Sequence, residues 1–308
     1  MLSLRDLIIL ERQQFVVESG NAVKGVGPVP AYITPLVYKD VEDRIHKVDS
    51  KVQMAPLGSL GKKLDTDFNG DIDIAINIPK REDLLTFIQK VFPECTVEEG
   101  TLNPRTNEEI VSIAFKWNKE GKSGVAQVDF MVTDNLKWAK WRYDSPDFRK
   151  GESKYKAQAK DWVIRCVVSA IPVEEAEKRY FDDNGKEIKD NWKYTFNFKG
   201  VVKQLLRSKM KSNGEFTKPK KEKEFEQMIS NDPDDVMKFI FGKDATPEDF
   251  KSAESVWKAL HSSKWKWGKE ALEKAEQRFY DEYIYGKEGK GIDLDPKDFP
   301  CTEYEYNK

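Results

Sequence analysis

Cysteine and histidine are scarce in this chain of 308 residues. It has three cysteines, Cys95, Cys166 and Cys301, and two histidines, His46 and His261. Three scattered cysteines do not make a disulfide framework, and so small a set gives little material for a zinc cluster. We therefore expect a reducing environment, the cytoplasm, and a structural or surface role for both histidines.

Long apolar runs are also missing. Runs such as residues 7–10 and 166–168 fall far short of the roughly 20 apolar residues that a membrane-spanning helix needs. Charged side chains interrupt the stretch that would be apolar in a secretion signal, at Arg5, Asp6, Glu11 and Arg12. We expect a protein that has no membrane partner.

Net charge is the third feature in short supply, because 52 basic and 54 acidic side chains nearly cancel. Their distribution is uneven, since residues 136–223 carry 23 basic and 13 acidic side chains while the flanking segments are acidic. The second part of this basic block, residues 186–223, interleaves lysines with aromatic residues. The aromatic residues are Trp192, Tyr194, Phe196 and Phe198. This pattern is compatible with RNA or DNA binding, but we favour the interpretation that alternate aromatics form the core face of a strand.

Hydrophobic spacing predicts an α+β fold in the first half of the chain. Residues 51–135 are expected to form a core region, with strands rich in β-branched residues and one helix among them. An N-terminal region, 1–50, packs on this core through two helices, one from Ser3 for about four turns and one over residues 31–48. The expected strands are 52–57, 71–78, 95–98, 110–117 and 125–132, and the helix of the core region is 81–91.

Residues 136–308 are predicted to form a mainly helical accessory region. A β-hairpin near 180–198 interrupts it, with Asp183-Asn184-Gly185 as a tight type I′ turn. Residues 211–223 are expected to form a linker, although a basic loop that contacts a ligand would give the same pattern, and residues 286–308 are expected to form a loosely attached tail. The expected helices are 160–170, 200–210, 222–229, 234–241, 247–261 and 269–283.

The most informative residues are two acids, Asp71 and Asp73, separated by Ile72 in a predicted strand. Because successive side chains of a strand alternate between faces, both carboxylates lie on one side and the neighbouring isoleucines on the other. Adjacent like charges repel unless a cation bridges them, so the pair indicates a metal site. Oxygen ligands suit Mg²⁺, which keeps coordination positions for water and substrate phosphates.

A third acid and a glycine-serine turn complete the pattern. Asp129 is a lone carboxylate in an apolar strand, suited to join the pair in a site for two metal ions. Gly58 and Ser59 follow another predicted strand. The glycine lets a ligand approach the backbone closely, and the backbone amides and the Ser59 hydroxyl are suited to bind a terminal phosphate.

The combination of Gly58-Ser59, Asp71-Ile72-Asp73 and Asp129 resembles the motif of the DNA polymerase β-like nucleotidyltransferase superfamily. The resemblance covers less than half of the chain, whose overall look is similar to phage-encoded members. It implies a nucleotidyltransferase catalytic domain of mixed sheet and flanking helices, in which Asp71 and Asp73 ligate two Mg²⁺ ions, with Mn²⁺ as the substitute. Asp129 would complete the site and act as the base towards the attacking hydroxyl, and Ser59 would contact the triphosphate.

Further nucleotide-binding residues are expected among the basic side chains. Lys62 follows the glycine-serine turn, while Lys154, Tyr155 and Lys156 would bring two cations and a stacking ring to the nucleotide. Arg165 lies one turn into a predicted helix that would face the cleft. Ordinary exposed lysines and a packed tyrosine would give the same pattern.

A calcium-binding loop is the rival interpretation of this region. The segment from Asp65 to Gly70 begins like an EF-hand, but the twelfth position is Ile76 instead of a bidentate glutamate. A strand, and no helix, is expected to follow. We therefore favour the nucleotidyltransferase interpretation.

The resemblance implies transfer of a nucleoside monophosphate from a nucleoside triphosphate, such as ATP, to an acceptor hydroxyl with release of pyrophosphate. An RNA 3′ end is the leading acceptor, because of the basic block. Oligonucleotide or second-messenger synthesis is the next alternative, followed by a small-molecule or protein acceptor. A non-catalytic nucleotide-sensing or interaction protein is the alternative of another class, and the sequence leaves the oligomeric state open.

Overall fold

A computed structural model describes residues 23–78, 80–95, 97–99, 110–174, 177–286 and 292–301. The helix predicted from Ser3 lies outside these residues. The described chain combines helices with mixed and antiparallel sheets, in agreement with the α+β class. It divides into two compact units, residues 1–157 and 158–308. None of the described helices has the length and apolar character needed to cross a membrane.

The first unit alternates short helices with strands. Its helices are α1 (Thr34–Val48), α2 (Arg81–Val91) and α3 (Leu136–Tyr143). Its strands are β1 (Val29–Pro30), β2 (Met54–Pro56), β3 (Phe68–Asn69), β4 (Asp71–Ile76), β5 (Val97–Glu99), β6 (Ile110–Lys119) and β7 (Lys122–Val132).

Five of these strands form one mixed sheet in the order β2-β4-β7-β6-β5. β4 and β7 run parallel, whereas the other neighbours are antiparallel. β1 and β3 pair separately as a two-stranded antiparallel sheet. The parallel pair β4-β7 therefore lies inside the sheet, with neighbours on both sides.

The core of the first unit reflects two sequence periods. In α1, Val37, Val41 and Ile45 are fully buried at helical spacing, so they share one face. In β4, the even-numbered isoleucines are buried at the strand period of two. Both sets belong to one apolar cluster, which also contains Val128 and Phe130 of β7. Burial of the isoleucine face leaves the acidic face of β4 on the opposite side of the sheet.

Several elements predicted within the described residues of this unit agree with the structure, while the strand expected over 95–98 lies partly outside them. The helix expected over 81–91 is α2, and the one expected over 31–48 contains α1. The expected strands at 71–78 and 125–132 correspond to β4 and β7. A strand follows Gly70, as expected, so the segment from Asp65 does not continue into the second helix of an EF-hand.

The second unit contains a four-stranded antiparallel sheet, ordered β11-β10-β9-β8, and several helices. α4 (Ala157–Ala170) begins at the boundary between the units. The strands are β8 (Glu177–Phe181), β9 (Glu187–Asn197), β10 (Gly200–Lys209) and β11 (Lys220–Ser230), and the later helices are α5 (Pro233–Phe241), α6 (Ala253–Leu260) and α7 (Lys269–Phe279).

The helix predicted over 200–210 was wrong, because this segment is β10. Its apolar residues, Val201-Val202 and Leu205-Leu206, recur every four positions and so imitate a helix. In a strand, each pair places one side chain on each face, and Val201, Val202 and Leu205 are all at most 2% exposed. A strand that is buried on both faces loses the alternation by which strands are recognised.

The helix predicted over 222–229 was also wrong, because this segment is β11. Lysine, glutamate, glutamine and methionine favour helices in isolation, but here they form a strand that lies at the edge of the sheet and, among the described strands, pairs with β10 only. A charged edge discourages pairing with other chains. Residues 211–219 are consequently the connection between β10 and β11 and not a linker between domains.

The hairpin expected near 180–198 is confirmed by the antiparallel pairing of β8 with β9. Its turn differs from the predicted type I′, which needs two residues with positive φ. Only Gly185 has positive φ here, at 71°, and its N–H donates to the carbonyl of Asp182 at 2.8 Å. This geometry matches the longer hairpin loop that ends in a left-handed glycine.

His261 contributes to the stability of the second unit in a pH-dependent way. Its Nε2 lies 2.7 Å from Oε1 of Glu276, which is 2% exposed, and its Nδ1 lies 2.8 Å from the carbonyl oxygen of Trp257. Burial opposes the charged form, but the hydrogen bonds to Glu276 and Trp257 outweigh it and raise the pKa of His261 above its usual 6.5. Protonated His261 therefore favours the folded state.

Replacing His261 by Gln should remove this pH-dependent stabilisation. Because the folded-state pKa is raised, the contribution is fully present below the unfolded pKa of about 6.5 and is lost as pH rises through the folded pKa. Urea unfolding at a series of pH values should show the largest loss of unfolding free energy at the acid end. His46→Gln, at an exposed histidine, is the control. A loss that is equal at all pH values would contradict this prediction.

Candidate metal centre

Three carboxylates meet on the two parallel strands at the centre of the first sheet. Asp73 of β4 lies directly opposite Asp129 of β7 in the strand register, and Asp71 lies opposite Gln127. One carboxylate oxygen from each of the three acids lies within 4.8 Å of the others. The acids that the sequence singled out therefore form one cluster, which could hold a metal ion.

The location of this cluster is a consequence of strand geometry. Asp71 and Asp73 are two residues apart, so they share the face of β4 opposite Ile72 and Ile74. A parallel neighbour with Asp129 in register then brings the third carboxylate to the same face. A shift of one residue in this register would move Asp129 to the apolar side of the sheet.

Gly58 allows the chain to pass close to the acids. Its φ is +61°, and a Cβ at this position would lie 3.1 Å from Oδ2 of Asp73. The backbone fixes the approach, since Leu57 N–H donates to the carbonyl of Asp73 at 2.9 Å and Gly58 N–H donates to the carbonyl of Tyr143 at 3.0 Å. The N–H of Gly58 is therefore already hydrogen-bonded. What Gly58 provides to the site is the absence of a side chain next to Asp73.

Ser59 lies beside the two acids of β4. Its hydroxyl donates to Oδ1 of Asn69 at 3.0 Å, and the amide of Asn69 donates to the hydroxyl of Thr34 at 3.1 Å. Ser59 and these two acids line one open recess, whose lining residues are Thr34, Leu57, Ser59, Leu60, Asn69, Asp71, Ile72 and Asp73. The recess brings a hydroxyl group and a carboxylate pair to the same space.

The electrostatic environment of Asp71 combines burial with two cations. Burial raises the pKa of Asp71, and the positive charges of Lys156 and Lys63 act against this rise. Burial lowers the pKa of Lys63, and the nearby positive charge of Lys156 lowers it further. The negative charge of Asp71 acts in the opposite direction. Lys63 Nζ donates to the carbonyl of Phe68 at 2.6 Å. Two cations consequently act on the acidic cluster from within the same unit.

Asp129 is held by hydrogen bonds although it is only 8% exposed. The amide nitrogen of Gln127 lies 3.0 Å from each of its carboxylate oxygens, and Ser112 on β6 also donates to it. Burial raises the pKa of Asp129, these hydrogen bonds partly oppose the rise, and the charge of Asp71 adds to it. A buried acid with a raised pKa and fixed orientation is suited to bind a cation or to accept a proton.

The predicted basic residues have different surroundings. Lys62 Nζ lies 2.5 Å from Asp144 and 2.6 Å from the carbonyl oxygen of Ser145, which holds it next to the segment paired with Gly58. Lys156 acts electrostatically on Asp71. Arg165 belongs to the second unit, where its guanidinium bonds Asp161.

Tyr155 and Lys154 interact with each other in the first unit. The Lys154 ammonium lies 5.2 Å from the centre of the Tyr155 ring. Tyr155 is only 3% exposed, so its ring presents little surface for a base. This burial agrees with the alternative in which Tyr155 is an ordinary packed tyrosine.

Several residues of the site went unnoticed in the sequence. Gln127 stands two positions before Asp129, so strand alternation would have placed it on the same face. Ser112 is a polar residue within an apolar strand, which is a weaker signal. Lys63 adjoins Lys62, and nothing in the sequence indicates which of two adjacent lysines turns towards the acids.

Comparison of the chain with models of protein families and with curated proteins finds no match. The assignment of a function therefore depends on the chemistry of the site. Three carboxylates supply hard oxygen ligands of the kind that Mg²⁺ and Mn²⁺ prefer. The donor set fits such an ion.

Divalent metal should stabilise the protein through the acidic cluster. A ligand that binds only the folded state adds about 2.7 kcal/mol at 100 times its Kd, so Mg²⁺ or Mn²⁺ should raise the Tm of the wild type. Asp73→Asn should abolish this rise. Without metal the same variant should be no less stable than the wild type, because it removes like-charge repulsion. Asp83→Asn, at an exposed acid of α2, is the control, and a metal-induced shift that persists in Asp73→Asn would refute the site.

A pair of glycine variants separates backbone strain from contact with Asp73. Gly58 and Gly151 have φ of +61° and +65°, but a Cβ at Gly151 meets nothing within 4 Å. Both Gly58→Ala and Gly151→Ala should lose about 1–2 kcal/mol of stability, the cost of a left-handed non-glycine residue.

Only Gly58→Ala should also weaken divalent metal binding, because its Cβ presses on Asp73. Thermal shift titrations of both variants with Mn²⁺ measure the difference. Equal metal affinity in the two variants would show that the close approach of Gly58 does not matter to the acids.

Proposed function

We propose that this chain is a magnesium-dependent nucleotidyltransferase, which moves a nucleoside monophosphate from a nucleoside triphosphate to an acceptor hydroxyl and releases pyrophosphate. The observation that supports this function best is the cluster of Asp71, Asp73 and Asp129 beside the recess that contains Ser59. A cytoplasmic setting, expected from the scarce cysteines, accompanies the proposal.

Asp71 and Asp73 are the proposed metal ligands, and Asp129 completes the site. Two bound ions would stabilise the attacking and leaving oxygens of an in-line displacement at phosphorus. The oxygen of the acceptor hydroxyl forms a bond to the α-phosphorus, and the bond from that phosphorus to pyrophosphate breaks. The carboxylate of Asp129 accepts the proton that the hydroxyl loses. Hydrogen bonds from Gln127 and Ser112 orient this carboxylate before the substrate arrives.

The triphosphate is proposed to bind beside the glycine-serine turn. Ser59 would exchange its hydrogen bond with Asn69 for one to a phosphate oxygen. Lys63 and Lys156, which act on Asp71 in the structure, would then face a polyanion. Binding substrate through fixed donors and cations supplies the orientation that makes phosphoryl chemistry fast.

The acceptor is proposed to be a nucleic acid, with an RNA 3′ end first among the candidates. The basic block over 136–223 favours a polyanionic acceptor over a small neutral one. Second-messenger or oligonucleotide synthesis uses the same chemistry with a nucleotide as acceptor, so the assay includes conditions without RNA.

Incubation of the protein with Mg²⁺ or Mn²⁺ and each labelled nucleoside triphosphate, with and without RNA, tests the proposal. We expect pyrophosphate release and a labelled product that depends on metal. Asp71→Asn, Asp73→Asn and Asp129→Asn should each lower turnover by at least about 100-fold, because removal of one group of a preorganised site typically costs that much.

Asp83→Asn serves as the matched acid outside the cluster and should keep wild-type turnover. Circular dichroism and thermal melting confirm that each variant is folded. Unchanged turnover in any of the three cluster variants would contradict the proposed mechanism. Triphosphate binding without turnover under any condition would favour the non-catalytic nucleotide sensor instead.

A further inference from the structure

One face of the sheet in the second unit brings aromatic rings and cations together beyond its buried part, which includes Phe196 and Val201. In the register of β9 and β10, Trp192 lies opposite Leu205 and Asp190 lies opposite Arg207, so these side chains share a face. Phe225 of β11 reaches the same face, because its ring contacts both Trp192 and Arg207.

These rings and cations form a continuous row. The Lys203 ammonium lies 5.1 Å from the centre of the Trp192 ring. The Trp192 and Phe225 rings meet edge to face, with their centres 6.4 Å apart. The Arg207 guanidinium lies 5.9 Å from the centre of the Phe225 ring. We call Trp192, Lys203, Arg207 and Phe225 the aromatic strip.

The strip is partly exposed, and the paired positions of its face carry more cations than acids. Phe225 is 45% exposed, and Trp192, Lys203 and Arg207 are partly exposed. Asp190 accepts two hydrogen bonds from Arg207, at 2.7 and 2.9 Å, and Glu222 lies on the same face opposite Leu205. Exposed lysines occupy further paired positions of the same face, at Lys178, Lys209 and Lys220.

We propose that the aromatic strip binds single-stranded nucleic acid. Exposed rings provide stacking surfaces for unpaired bases, and the surrounding cations contact the backbone phosphates. A duplex keeps its base faces stacked inside, so it can use the cations but not the rings. The identification of the bound strand as the acceptor rests on the proposed function, whereas the binding itself does not.

The edge position of β11 favours this use of the face. Among the described strands, β11 pairs with β10 only, and this pairing shifts between Gln204 and Leu205. Phe225 lies in β11 at this irregularity, where two strands no longer match one to one. Gln227 lies opposite Lys203, so strand alternation places Phe225 on the face of Lys203 and Trp192, next to the point where the pairing shifts.

Fluorescence anisotropy with labelled oligonucleotides tests the inference. RNA and DNA of the same sequence, single-stranded and duplex, are titrated into Asp73→Asn protein, which prevents turnover during the measurement. We expect single strands to bind more tightly than duplexes, with an affinity that falls steeply as salt rises. Preference for RNA or for DNA identifies the strand, and either supports the site.

Variants separate stacking from charge. Trp192→Ala and Phe225→Ala should each weaken single-strand binding about tenfold, which is the range that loss of one stacked base produces. Trp192→Phe should retain most of the affinity because it keeps a ring. Lys203→Ala should lower the slope of log affinity against log salt by about 0.7, the value for one phosphate contact on a single strand.

Two variants are the matched controls. Phe181→Ala removes a ring that is 71% exposed, at a position on the opposite face of the same sheet. Lys243→Ala removes an exposed lysine outside the sheet. Both should bind single strands as the parent protein does, and thermal melting checks that all variants are folded.

Three outcomes would overturn the inference: no single-strand binding at low salt, equal binding of single strands and duplexes, or equal losses in Phe181→Ala and Phe225→Ala. Failure of the proposed function has a different signature. In that case the wild type would show no nucleotidyl transfer while the aromatic strip variants still weakened oligonucleotide binding.

Discussion

Electrostatic repulsion among three carboxylates is the constraint around which the first unit is organised. Asp71, Asp73 and Asp129 are brought within 4.8 Å by the register of two parallel strands, and burial makes their charges costly. The structure meets this cost with hydrogen bonds from Gln127 and Ser112 and with nearby lysines. These contributions compensate only in part, since the pKa values of Asp71 and Asp129 remain raised. A divalent cation is the partner that would complete the compensation.

The apolar side of the sheet makes that arrangement possible. Ile72, Ile74 and Ile76 anchor β4 in the cluster formed with α1 and β7, so the register cannot slip without exposing them. Burial of large aliphatic side chains supplies the free energy that holds like charges together on the other face. Stability and chemistry are thus separated between the two faces of one strand. Loss of the acids leaves the anchoring side chains in place.

The sequence predicted the local structure well where the hydrophobic pattern had one period. α2 and β4 were identified because their apolar residues alternate in a single regular way. The sequence of β10 predicts a helix because Val201 and Leu205 repeat like a helix face, and that of β11 predicts one because lysine and glutamate favour helices. Cross-strand pairing, which is non-local, decided both segments, and a single-sequence pattern does not contain it.

In the candidate site, too, some residues could be predicted from the sequence and others could not. The three aspartates and Gly58 could be predicted because their chemistry is unusual for their positions in strands and turns. Lys63, Gln127 and the aromatic strip depend on which side chains meet across neighbouring strands and loops. Phe225 in particular meets Trp192 through the pairing of β11 with β10, which a single-sequence pattern does not contain.

The amide of Gln127 also reaches beyond the acids. While its nitrogen holds both oxygens of Asp129, its own oxygen accepts the backbone N–H of Val23 at 3.4 Å. One side chain therefore ties the segment leading into α1 to the acid assigned as the base. A displacement of the backbone at Val23 would release this tether and leave the carboxylate freer to rotate, which links the alignment of Asp129 to a segment more than one hundred residues away in sequence.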